Sequence, residues 1–164
     1  VTALVTAERL VKFAARRAET IFKRKGQVLW MYHYVCEDGN HGLFVPPAWC
    51  TSKDQIVAAA KALFEKERVI AYVFINEVWT LEKPERTREQ VDALLKQYGS
   101  LEHVPGRVEN VLLMGEDAKG MVYGKMVINR PEGREPYLSK LEIQHPDSME
   151  GRMIGLLPQR GTRQ

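Results

Sequence analysis

The sequence predicts an α+β domain, in which an N-terminal amphipathic helix and two further helices pack on a mainly antiparallel sheet of about six strands. Three observations predict it. Apolar residues recur at the helical period over residues 6–25. A hydroxyl residue followed three positions later by glutamine, the signature of a helix start, occurs at Ser52 and again at Thr87. The last third of the chain alternates apolar segments with short turns rich in Gly, Asp and Pro, connections that suit antiparallel neighbours.

At 100° per residue, Leu10, Ile21, Ala14, Ala7, Ala18, Val11, Phe22 and Ala15 fall within an arc of about 140°, the width of a core-facing stripe. Gly26 supplies the residue without a Cβ that commonly ends a helix in a left-handed conformation. Phe13 lies off the apolar arc, where an aromatic reads as a surface residue or a partner contact. Residues 27–36 are bulky and apolar or aromatic on both alternating sets, as expected of a strand covered on two sides. The polar turn at 37–42 brings back residues 43–45 as a short antiparallel strand, which Pro46 and Pro47 end. Ser52 and Gln55 open the second helix, with Ile56, Val57, Ala60, Leu63 and Phe64 on one face through about residue 67. Residues 69–81 follow as a long strand. Thr87 and Gln90 open the third helix, whose apolar face is Val91, Leu94, Leu95 and Tyr98, and Gly99 closes it. After a loop at 100–107, residues 108–115, 121–129 and 137–144 make a meander. The domain is expected to span 1–145, with 1–26 its basic helix and 146–164 a poorly anchored tail.

The 164 residues are 45% hydrophobic and 27% charged, which excludes collagen-like and wholly disordered chains. No stretch approaches the roughly 20 apolar residues of a membrane span, and no basic-then-apolar leader opens the sequence. A soluble, cytoplasmic protein is expected. Cys36 and Cys50 form no Cys-x-x-Cys pair and are expected as free thiols.

Charge is unevenly placed. Residues 1–26 carry Arg9, Lys12, Arg16, Arg17, Lys23, Arg24 and Lys25 against Glu8 and Glu19, a local +5 in a chain of net +3 that leaves −2 for the rest. Arg9, Lys12, Arg16 and Lys23 cluster opposite the apolar stripe and are the candidate polyanion-binding residues.

Motifs of specific chemistry are missing. The segment from Gly115 to Gly120 has the glycine spacing of a phosphate loop but lacks Gly-Lys-Ser/Thr and opens no helix, so it reads as a hairpin turn. His33, His41, His103 and His145 stand at no ligating helical spacing, so neither a metal nor a cofactor is expected. There is no Gly-x-Ser-x-Gly elbow. His33 and Glu77 each interrupt an apolar alternation on a core strand, which makes them the candidate members of a spatially assembled polar site. Trp30, Tyr32 and Tyr34 have no Lys or Arg near them on their strand, so they read as packing residues rather than a base-stacking platform.

Residues 31–35 with the turn that follows, 71–79, and 103–107 with 111–117 resemble small uncharacterised proteins of bacterial and phage genomes, over residues 27–130. The resemblance implies a bacterial or mobile-element setting and carries no activity. The function expected is a non-enzymatic interaction module with a protein partner or self-association, binding nucleic acid weakly through the basic helix. An enzyme with a polar site near His33 and Glu77, and a peripheral membrane protein, are the alternatives.

Overall fold

The computed structural model describes residues 5–81, 87–146 and 153–158. Its elements are α1 (Ala7–Lys25), β1 (Met31–Cys36), β2 (His41–Phe44), α2 (Lys53–Lys66), β3 (Val69–Leu81), α3 (Arg88–Tyr98), the 3-10 turn η1 (Leu101–His103), β4 (Arg107–Asp117), β5 (Gly120–Asn129), β6 (Tyr137–Leu138) and β7 (Glu142–Gln144). The seven strands form one antiparallel sheet in the order β2-β1-β3-β4-β5-β6, with β7 on β5, curled into a half-barrel. The predicted α+β class is the observed one. No helix among the described residues is long and apolar enough to cross a membrane.

α1 fills the curl. Its ends are fixed by the residues the sequence points to: Thr6 accepts a hydrogen bond from the Arg9 amide, and Gly26 adopts φ 71° while its N–H closes on Phe22 O. Asp117, at the end of β4, accepts the Ala7 N–H at 2.8 Å and so satisfies one of the free amides of the first turn. Leu10, Val11, Ala14, Ala18 and Phe22 are buried against Val35, Val73, Val111, Leu113 and Met126, while Ile21 is half-buried. Burying each large apolar side chain contributes roughly 1.5–3 kcal/mol, so this interface and not helix propensity holds α1. Close approach depends on two glycines facing it. A Cβ on Gly115 would lie 2.8 Å from Val11 Cγ2, and one on Gly124 2.9 Å from Val11 Cγ1.

The opposite face of the sheet carries a second, aromatic cluster of Tyr32, Phe64, Tyr72 and Phe74 with Ile56 and Ala60 of α2. Ring centroids stand 4.9 Å apart for Tyr32 and Phe74 and 5.0 Å for Phe64 and Tyr72. Tyr32 is therefore a core residue. Met153, Ile154 and Leu156 are buried, Met153 and Leu156 against this cluster. Tyr32 donates to Met153 O, while Glu116 accepts from the Tyr72 hydroxyl and from the Gly155 and Leu156 amides. Within the segment expected as a tail, residues 153–158 are thus held by their two apolar pairs and by the Glu116 carboxylate, a partner remote in sequence. Residues 147–152 and 159–164 of that expected tail lie outside the described residues.

α3 has the complete reciprocal cap predicted at Thr87 and Gln90, yet none of its residues is buried. Its stripe of Val91, Leu94 and Tyr98 is half-exposed and Leu95 is exposed. Cys36 and Cys50 are free thiols, the first buried.

Candidate functional site

One flank of α1 runs beside the outer strand of the sheet. β2 is the sheet's edge, and α1 meets it at two places: Phe13 packs on the His41 ring, and Arg17 and Ile21 line a small cavity with Leu43. The register sets this. His33 pairs with Leu43 and Val35 with His41, so His33, His41 and Leu43 all point to the α1 side of the sheet.

His33 is the floor. It is 1% exposed, and its Nε2 stands 2.9 Å from His41 Nδ1, one ring donating and the other accepting. The Phe13 ring covers both imidazoles, with centroids 5.3 Å from His33 and 5.8 Å from His41. His33 Nδ1 is buried with no hydrogen-bond partner among the described residues, and His33 also lines a cavity of about 10 Å³ with Arg17, Met31 and Leu43. Burial, then the His41 ring, then the Arg17 guanidinium oppose a charge on His33 and lower its pKa from 6.5 to about 4. His33 is therefore neutral at pH 7.

Glu77 stands on the same face of the sheet as His33 but elsewhere along it. His33 is opposite Val73, four residues before Glu77, a separation of about 13 Å at ~3.3 Å per residue. Glu77 accepts the Val28 N–H and adds to the charge felt by Arg130, so it pins the connection between α1 and β1. The two candidates of the polar site thus have different partners. The partner His33 does find, His41, was legible in principle: a hairpin closing at 37–40 puts position 41 opposite 35, and hence on the face of 33.

The basic side of α1 is exposed along its length. Of the four candidate polyanion-binding residues, Lys12 is paired with Glu8 at 2.9 Å and Lys23 with Glu19 at 3.5 Å, one helical turn away. The Lys12 ammonium holds the Glu8 carboxyl below its usual range. Arg9 makes no side-chain ion pair among the described residues, and the Arg16 guanidinium donates to Lys12 O. Arg17 and Arg24, which the sequence reading left out of the set, also make no ion pair among the described residues. With Phe13, Arg16, Thr20 and Ile21 they line an open groove of about 370 Å³.

A larger pocket, of about 610 Å³, opens at the N-terminal end of α1 beside Thr6, Ile70, Glu116, Asp117 and Lys119. Its carboxylates already serve the fold. Asp117 accepts from Ala7, Lys119 and Gly120 amides, and Glu116 holds the C-terminal clamp. The hairpin expected at Gly115–Gly120 is present, with only Ala118 and Lys119 between the strands. No cluster of three or more metal-ligating side chains occurs among the described residues. No family model, curated protein or solved structure matches the chain.

Proposed function

We propose that the chain is a non-enzymatic interaction module, acting in the cytoplasm of a bacterial or mobile-element setting, that binds the phosphate backbone of nucleic acid through the outward side of α1. The observation that carries this reading is the seating of α1. Its apolar side is sealed into the sheet, so Arg9, Arg16, Arg17 and Arg24 are exposed on a rigid element, the last three around an open groove. Arginine suits this task because its planar fork matches phosphate oxygens in pairs. Phe13, in the middle of that strip and 44% exposed, offers a face to a base or ribose. Lys12 and Lys23 pair with neighbouring glutamates, which favours Arg17 and Arg24 beside Arg9 and Arg16 in this reading. A membrane-surface role is less well supported, because a helix lying in a bilayer interface needs its apolar side free, and here Leu10, Val11 and Phe22 are covered by strands.

The test is charge reversal with a matched control. Fluorescence anisotropy on labelled single- and double-stranded DNA should show Arg16→Glu with Arg24→Glu weakening affinity at least about tenfold. Two reversals on α3, Arg88→Glu and Lys96→Glu, should leave it within about twofold. All four positions are exposed, so folding is not at stake. Equal losses from both pairs, absent binding by the wild type, or binding only to anionic vesicles would overturn the reading.

A further inference from the structure

The edge of the sheet beside α1 has a recognisable polarity. Cys36 donates its N–H to Asn40 O, which makes that position a hydrogen-bonded pair of the β1–β2 ladder. Alternation then assigns the pairs Tyr34–Gly42 and Tyr32–Phe44 to the same class, so Gly42 and Phe44 turn their amides and carbonyls towards β1. His41 and Leu43 turn theirs outward. No other strand among the described residues pairs with that edge.

Its side chains are unusual for a bare edge. Natural edges are blunted by lysine, proline or inward charge; here Pro46 and Pro47 stop the strand, but ahead of them Leu43 is 44% exposed and Val45, just beyond the strand, 52%. Phe13, equally exposed, packs on the His41 ring from α1, and the groove it lines on the helix with Arg17 and Arg24 adjoins that edge through Arg17, which also lines a small cavity with Leu43, so that helix and edge bound one channel. The channel therefore offers main-chain hydrogen bonds from one wall, apolar contact at the floor and positive charge from the other wall.

We propose that this channel receives an extended acidic segment of a partner protein, which adds to β2 as a further strand. Strand addition takes its affinity from main-chain pairing and its selectivity from alternate side chains. The free amides and carbonyls of His41 and Leu43 supply the first. For the second, carboxylates on alternate residues would lay their stems over Leu43 and reach Arg17 and Arg24. Charge chooses the occupant: a second copy pairing edge to edge would bring like-charged flanks of α1 together, whereas an acidic strand neutralises them. The site is distinct from nucleic-acid binding on α1 in needing the edge of β2, though it shares Arg17 and Arg24.

The probe is a labelled heptapeptide alternating glutamate and valine, blocked at both ends, titrated into the full chain. It should bind saturably and shift the amide resonances of His41 and Leu43. N-methylating the alternate peptide residues that face β2 should weaken it about tenfold, the loss of two hydrogen bonds of about 0.7 kcal/mol each, while methylating the other set should change it less than about twofold. A lysine-for-glutamate peptide should not bind. Leu43→Glu, at an exposed position, should abolish peptide binding while DNA binding persists, which separates this proposal from the function proposed for α1. No binding of the acidic peptide, indifference to methylation or to Leu43→Glu, or concentration-dependent dimerisation through β2 would overturn it.

Discussion

Burial, the His41 ring and the Arg17 guanidinium all act against a proton on His33, and their consequence is a stability that depends on pH. The unfolded chain takes up that proton as pH falls through about 6.5, the native state only near 4. Stability is thus lost on acidification across that window, by up to about 3 kcal/mol, and the term is flat below it. Urea denaturation of His33→Leu between pH 7.5 and 4 should show a shallower acid slope than the wild type; an unchanged slope would contradict the assignment. At Gly115 the pressure is steric. A methyl group there meets Val11 Cγ2 at 2.8 Å and the Ala7 carbonyl at 3.2 Å. Gly115→Ala should therefore cost roughly 1–3 kcal/mol in chemical denaturation, because the backbone oxygen of α1 cannot swing away as a side-chain tip can.

Among the elements, α1 and α3 are opposites. α1 is bound through its whole apolar side, and Leu10→Ala should destabilise the chain by about 2–5 kcal/mol, read as a lower midpoint in denaturant. α3 is held by its cap and by partial contacts, so hydrogen exchange should place its amides well below the global opening free energy. Thr87→Ala should lower them by about 1 kcal/mol more, with little change in the global midpoint. Both helices were equally legible in sequence, since period and caps are local properties. What the helical period cannot report is whether a partner surface exists for the stripe. The same limit applies to the strands. Residues 69–81 were readable as a strand, but the placing of β2 at the edge and of β3 between β1 and β4 depends on contacts remote in sequence. His33 and Glu77 were both singled out as polar groups on apolar strands, and that was sound as far as alternation goes. Their pairing was not, because alternation fixes a face and not a position along it. Gly115 reads in sequence as the start of a hairpin turn, whereas in the fold it and Gly124 mark where α1 touches the sheet.

For the molecule as a whole, a sheet covered on both faces leaves its charge asymmetry on one side of one helix. The C-terminal segment closes the other face: the Tyr72 hydroxyl and the Gly155 and Leu156 amides converge on Glu116. Tyr72→Phe should loosen residues 153–158 and speed their proteolysis, with a global cost of about 1–2 kcal/mol. Phosphate binding by the rigidly seated basic face has a more direct readout in salt. Affinity of the full chain for a DNA duplex of about 20 base pairs, followed from about 50 to 200 mM salt, should fall with a log-log slope of about −3.6 if Arg9, Arg16, Arg17 and Arg24 each meet one phosphate. Removing Arg16 and Arg24 as glutamines should halve it to about −1.8. A flat response, or one slope shared by wild type and variant, would contradict the account.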